Sequence, residues 1–374
     1  MRSQRSNRHS TVIDVAKKAG VSPATVSRVL NNSVPVSGDT RDRVFAAVAE
    51  LGYKHGDAQL QGGTETRIIA LLITDILNPF FPEVVRGVTD EAEIHGLASL
   101  LYHTAEDPLH EKRILQKLVN RQIDGIIVCA SRILNDDLIA LHEQHGIPIV
   151  VINRRVLHSM IPSIFVDFED AAYRSAQHLL TLRHTRLAYL AGHEYSESSR
   201  DRKRGIERAL QEVGLPFPSE LCPGSFPSLE GGFQAMTTLL ALPATSRPTG
   251  IIAYNDLMAL GALHAIRTQH LQVPDDISVV GCDGITIAAH SNPPLTTIDQ
   301  PKYRMGQIAM QMLYRIMNKQ FSSSGGYTQM ESPLIIREST GPCPDDYQGD
   351  IFSIASKQED YMGQRRKTAD MSSS

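Results

Sequence analysis

Asp14-Val15-Ala16-Lys17-Lys18-Ala19-Gly20-Val21-Ser22-Pro23-Ala24-Thr25-Val26-Ser27-Arg28-Val29-Leu30 is the stretch on which the reading of this chain turns. Val15, Ala16 and Ala19 give a first helix an apolar stripe, Gly20-Val21-Ser22 supplies a turn, and Val26, Val29 and Leu30 give a second helix the matching stripe. Ser22 suits the cap of that second helix and Pro23 its first turn. The opposite face, Pro23, Ala24, Thr25, Ser27 and Arg28, is small, polar and basic, so it fits a DNA major groove without steric conflict. The spacing predicts a helix-turn-helix followed by a third helix, opened by Val36-Ser37-Gly38-Asp39-Thr40-Arg41 and carrying Val44, Ala47, Val48 and Leu51.

These residues resemble the headpiece of the lactose-repressor (LacI/GalR) family. Val15-Ala16, Ala19-Gly20-Val21-Ser22, Thr25-Val26-Ser27-Arg28-Val29, Val36-Ser37, Thr40-Arg41 and Leu51-Gly52-Tyr53 stand where that family's signature has them, and the match extends to about Glu338. The resemblance implies an α/β protein: a helix-turn-helix headpiece over residues 11–53, then a two-lobed, doubly wound body like a periplasmic binding protein over residues 67–340. Residues 1–10 are polar and basic and are expected to form a disordered arm, and residues 341–374, rich in Ser, Gln, Asp and Lys, a disordered tail. Residues 54–66 form a linker that corresponds to the family's hinge helix, whose leucine wedges into the minor groove. Leu60 is the candidate wedge, but His55 replaces a proline and glycines flank the segment, so the hinge helix is expected to fold poorly.

Composition narrows the partners. The chain has 374 residues and a net charge of -4, but residues 1 to 60 carry nine Lys/Arg against five Asp/Glu, or +4, which leaves -8 for the remainder. A basic end on an acidic body suits DNA binding by that end only. Cys129, Cys222, Cys282 and Cys343 stand far apart, with neither disulfide-framework nor zinc spacing. No apolar run follows Arg2, Arg5 and Arg8, and none is long enough to span a bilayer, so the protein is expected in the cytoplasm, at the nucleoid when bound to DNA.

From Arg67 onward, apolar runs alternate with longer amphipathic segments: 68–73, 97–102, 125–129, 147–152, 164–166, 187–191, 251–254 and 277–281. Such runs with helical segments between them predict parallel strands covered on both faces. The resemblance implies two lobes, with chain crossings near Val166, near His290 to Thr297 and near Gly325. Between the lobes, at the carboxyl ends of strands, a doubly wound fold binds its ligand.

At those strand ends polar residues break into apolar text. Phe80 and Phe81 offer a sandwich for a flat sugar face or a base, while Asn153, Arg154, Asp167, Ser198, Arg202, Phe226, Asn255, Asp283 and Gln300 supply planar donors and acceptors or a closing aromatic. Most of this set also resembles the site of ribose-type periplasmic binding proteins, with Arg202 and Asp283 as ligand clamps. In the resembled relatives that bind purines an acid and an aromatic stand at this place, so by resemblance Asn153-Arg154 implies sugars over purines, and Arg154-Arg155 keeps a sugar acid or sugar phosphate open. Asn and Asp after strands also cap helices, and Phe80 or Phe81 also suits a core.

No phosphate-binding glycine loop or serine nucleophile elbow is present, and His142-Glu143-Gln144-His145 is one residue short of zinc-protease spacing. The expected protein is a non-enzymatic, homodimeric transcriptional repressor needing no cofactor and no metal. It binds a pseudo-palindromic double-stranded operator and a small effector, a monosaccharide or sugar acid, with a nucleoside or purine as the alternative and a transporter's solute-binding component as a lesser one. Arg28 is the expected guanine reader and Ala24 a contact for a thymine methyl, while Thr11, Ser22, Ser27, Asn31 and Ser37 are expected at phosphates.

Overall fold

A computed structural model describes residues 11–31, 36–51, 66–121, 123–158, 160–320 and 326–344. The expectations for the basic arm, for Leu60 with its linker up to residue 65, and for the tail from 345 lie outside the described residues. The chain divides into two compact units, Met1–Thr66 and Arg67–Ser374.

The first unit packs α1 (Val12–Ala19), α2 (Pro23–Asn31) and α3 (Gly38–Leu51) around Val15, Ala16, Ala19, Val26, Val29, Val44 and Ala47. Thr11 and Asp14 cap α1 reciprocally, each side chain taking the other's backbone N–H. Gly20 ends the helix at φ 66, a left-handed conformation that glycine adopts without a Cβ penalty. Ser22 caps α2 through the Thr25 N–H at 3.2 Å. With so small a core, the Lys18–Glu50 ion pair adds a surface tie from α1 to α3.

The second unit has two lobes. In lobe 1, β1 (Ile68–Ile73), β2 (Ala98–His103), β3 (Gly125–Cys129), β4 (Ile149–Ile152), β5 (Ser163–Val166) and β10 (Tyr327–Met330) form a parallel sheet in the order β10-β5-β4-β3-β1-β2. In lobe 2, β6 (Leu187–Leu190), β7 (Gly250–Ala253), β8 (Ser278–Asp283) and β9 (Thr296–Asp299) are parallel, and β11 (Leu334–Ile335) joins β9 antiparallel. The central strands are buried throughout, as runs covered on both faces require.

Helices α4 (Phe80–Ile94), α5 (Pro108–Val119), α6 (Asn135–His145) and α11 (Lys302–Met317) belong to lobe 1, and α7 (Phe168–Thr181), α8 (Glu197–Glu212), α9 (Leu229–Leu240) and α10 (Asp256–Thr268) to lobe 2. Helices α4 and α11 touch through glycine: a Cβ on Gly87 would lie 2.1 Å from the Tyr303 carbonyl oxygen.

The first crossing between lobes is where expected, from Val166 to Asp167. The second lies at 299–302 rather than 290–297, because Thr296–Asp299 pairs with β8 before the chain returns to lobe 1. The third lies at 331–333 rather than near Gly325, because β10 still pairs with β5 in lobe 1. The start of the tail also moves. Residues 341–343 are fastened to lobe 2 by hydrogen bonds from the Gly341 N–H to Ser278 Oγ (3.0 Å) and from the Cys343 N–H to the Leu182 carbonyl (2.8 Å).

Candidate functional site

In the helical unit, Pro23, Ala24, Ser27 and Arg28 are exposed along α2 and Thr25 is half-buried. Three of the hydroxyls expected at phosphates already have partners in the fold: Thr11 bonds Asp14, Ser22 bonds Thr25, and Ser37 donates to Thr40 Oγ1 at 2.8 Å. Asn31 ends α2, with its side chain outside the described set.

In the lobed unit, a cavity of about 40 Å³ lies at the carboxyl ends of the strands, and Phe80, Phe81, Asn153, Ser198, Arg202, Asn255, Asp283 and Gln300 line it. The strand ends there carry unusual backbone: Glu106, Ala130 and Asn153 have φ of 58, 55 and 59, and Asp283 has φ 139. Non-glycine residues held at positive φ cost about 1–3 kcal/mol each and concentrate at functional sites. Here they turn side chains from both lobes toward one point.

Asn153 and Gln300 join the lobes to Asp283 in a chain: Asn153 Nδ2 donates to Gln300 Oε1 (3.1 Å), and Gln300 Nε2 donates to Asp283 Oδ1 (2.8 Å). The Asn78 side chain also hydrogen-bonds Asp283. Burial and the neighbouring Asp256 carboxylate push Asp283 up, while Arg202 and Lys302 pull it down. The Arg202 guanidinium lies between the faces of Phe168 (3.9 Å) and Tyr254 (4.6 Å), and donates to the Ser198 carbonyl and to Cys282 Sγ. Two buried atoms of cavity-lining residues have no partner among the described residues: the acceptor Asn153 Oδ1 and the donor Arg202 Nε.

Three expected effector contacts do not reach this cavity. Arg154 turns away, its Nη1 donating to the Ser131 and Ile133 carbonyls and its guanidinium pairing with Glu197. Asp167 caps α7 by accepting the Asp170 N–H, the ordinary role of an acid after a strand. Phe226 is 48% exposed and faces a separate groove beside His193 and Arg200, while its neighbour Pro227 lines the cavity. Asn255 is present but spends both ends of its amide on structure, capping α10 and donating to the Pro227 carbonyl.

The cavity also contains residues outside the expected effector set: Asn78, Glu106, Arg132, Phe168 and Tyr254. Each sits within three residues of a strand or helix end. Polar residues directly after an apolar run, as in Thr104-Ala105-Glu106 and Ala130-Ser131-Arg132, were the signal for two of them.

Residues 11–55 match the profile described as bacterial regulatory proteins of the lacI family, and residues 66–338 match the periplasmic binding proteins and sugar binding domain of LacI family. The chain belongs to the LacI family. It is a DNA-binding transcriptional repressor with an effector-binding domain, and not an enzyme. It is 36% identical to the HTH-type transcriptional repressor CytR of Escherichia coli K12, over 92% of this chain and 100% of that one. Among solved structures it resembles the lac repressor dimer bound to operator and an anti-inducer, with TM-score 0.66 and 29% identity over 89% of this chain and 100% of that one. It also resembles a LacI family regulator from Enterococcus faecium with bound ribose, with TM-score 0.66 and 26% identity over 74% of this chain and 99% of that one. No helix among the described residues is long and apolar enough to cross a membrane.

Proposed function

We propose that this LacI-family repressor is controlled by an uncharged polyhydroxylated ligand, a sugar ring, held in the cavity between its lobes. The observation that carries this reading is the pair of unpartnered buried atoms, the acceptor Asn153 Oδ1 and the donor Arg202 Nε. A hydroxyl both donates and accepts, so vicinal hydroxyls satisfy such a pair. Unsatisfied, each group costs about 1–3 kcal/mol. A neutral ligand is favoured over a sugar acid or sugar phosphate because both buried arginines are engaged: Arg132 is paired with Glu106 at 2.5 Å, and the Arg202 guanidinium is held by Phe168, Tyr254, the Ser198 carbonyl and Cys282. Arg154 and Arg155, which kept an anion open, are spent elsewhere, Arg155 over the rings of Phe165 and Tyr327. The ribose bound to the Enterococcus faecium regulator is consistent with this chemistry.

A nucleoside is the second reading. The Phe168–Tyr254 slot that now holds the Arg202 guanidinium is flat and aromatic on both sides, which suits a base.

The operator partner is a pseudo-palindrome read by two headpieces of a homodimer, with Arg28 bidentate to guanine and Ala24 against a thymine methyl. Leu100 and Leu101, partly exposed on edge strand β2, and the more exposed Ile94 offer an apolar face for the second copy. To test the reading, operator DNA is selected from a random pool and its affinity is measured with and without sugars, sugar acids, sugar phosphates and nucleosides. An uncharged sugar should change that affinity. A response to anionic compounds alone would overturn the ligand class, and failure to select DNA with inverted half-sites would overturn the dimeric reading.

A further inference from the structure

The protein's own side chains bridge the cleft. Arg132, in the loop after β3, is buried at 9% exposure, and its Nη2 reaches across from lobe 1 to donate to the Tyr254 hydroxyl in lobe 2 at 3.2 Å. That hydroxyl also shares hydrogen bonds with Ser196 and Ser198 at the start of α8. At the cleft's polar side, Arg154 of lobe 1 pairs with Glu197 of α8 at 3.2 Å.

The two bridges have a common base. Arg154 Nη1 donates to the carbonyls of Ser131 and Ile133, on either side of Arg132, while Glu111 accepts from the Ser131 hydroxyl and from the Arg132 N–H. Across the cleft they also share an anchor, because Ser196, Glu197 and Ser198 are consecutive. At the strand ends, where Asn153 Oδ1 and Arg202 Nε lie, about 40 Å³ remains, room for a water or two, while a more open groove of about 560 Å³ runs outward between the lobes past Arg154 and Glu197. Sites for small organic ligands have volumes on the order of 300 Å³ or more.

We propose that these contacts form one clasp, in which Arg154 is a positioning residue for Arg132. An effector then acts as a wedge, parting Arg132 from Tyr254 and Arg154 from Glu197 as it enters. This rests on the cleft being the effector site. The ligand's differential affinity is for the parted arrangement, so breaking the clasp by mutation shifts the repressor in the same direction as the ligand does.

The test reads the lobe separation directly, with no added small molecule. Spin labels at Lys117→Cys in α5 and Gln211→Cys in α8, on a Cys222→Ser background, report the distance between lobes by pulsed electron resonance. The intact clasp should give one narrow distance, and Glu197→Ala with Tyr254→Phe should add a longer one; Arg154 keeps its bonds to the Ser131 and Ile133 carbonyls when Glu197 is removed, and a cooperative urea transition checks that the protein folds. Arg154→Lys should also lengthen it, because an ammonium cannot hold two carbonyls and Glu197 with one planar fork. An unchanged distance in the Glu197→Ala/Tyr254→Phe protein would overturn the clasp. On selected operator DNA, that protein without ligand should shift affinity about 5- to 150-fold, the usual range of coupling between sites. The shift should match in direction that caused by whichever panel sugar stabilises the parent protein, and opposite directions would make the effector a glue and overturn the wedge. If no panel compound binds, the cleft reading fails and the wedge with it, while the distance result still decides whether the clasp exists.

Discussion

The face proposed to read DNA and the cleft proposed to hold the effector present their residues under opposite conditions. On α2, Pro23, Ala24, Ser27 and Arg28 lie in solvent, with Val26 and Val29 buried beneath them. In the cleft, Arg132, Arg202, Asn255 and Asp283 are buried, and each is held by protein partners. An exposed face tolerates side chains chosen one at a time for DNA. A buried polar site is chosen as a set, since every member must satisfy another. Single substitutions should therefore act mainly on binding in the first region, and on binding and stability together in the second.

The largest effect expected is on the buried side. Glu106→Gln leaves the Arg132 guanidinium without its carboxylate and should cost about 3–5 kcal/mol in urea unfolding, the range for breaking one half of a buried ion pair. A loss below about 1 kcal/mol would place the pair in solvent and blur the contrast between the regions.

His184 extends the same rule to a buried base behind lobe 2. It bonds Thr249 and the Gly341 carbonyl, and burial lowers it to about 4 from the ordinary 6.5. The native state keeps it neutral while the unfolded chain takes up a proton below 6.5, so stability falls as pH drops from 6.5 to about 4. The difference between the two values corresponds to about 3 kcal/mol. In His184→Gln, urea unfolding at pH 7 and pH 4.5 should show a smaller fall between the two, and an equal fall would assign the pH dependence to another group.

On the exposed side, Arg28→Ala should lose about 1–3 kcal/mol of operator affinity per half-site and leave urea stability within about 0.5 kcal/mol. A uniform loss on every DNA sequence would move Arg28 from base reading to phosphate contact. Asn255 sharpens the comparison from within the cleft: as a cap on α10, Asn255→Ala should cost about 0.5–2 kcal/mol in unfolding. An effector affinity that falls without that loss would make it a ligand group after all.

The same contrast explains what could be read from sequence. The α2 face and the strands were legible because their periodicities, 3.6 and continuous burial, repeat at every step. Phe80, Asn153, Arg202 and Asp283 were legible because polar or aromatic residues at strand and helix ends converge in this fold. The direction of a single side chain was not. Arg154 follows Asn153, yet it is drawn to the Ile133 carbonyl and Glu197, and Phe226 lies on the far side of the loop from Pro227. Arg132 and Tyr254 are 122 residues apart, and nothing local marks them as partners across the cleft.

The most direct test of the effector site is thermal unfolding of the parent protein and of Asp283→Asn against ribose, glucose, cellobiose, gluconate, ribose 5-phosphate, cytidine and adenosine. At about 100 times its dissociation constant, a ligand adds about 2.7 kcal/mol to the native state. At least one uncharged sugar should stabilise the parent protein, and Asp283→Asn should lose most of that gain. Stabilisation by the nucleosides alone would select the aromatic-slot reading. Stabilisation confined to gluconate or ribose 5-phosphate, or undiminished in Asp283→Asn, would contradict a neutral polyol held between the lobes.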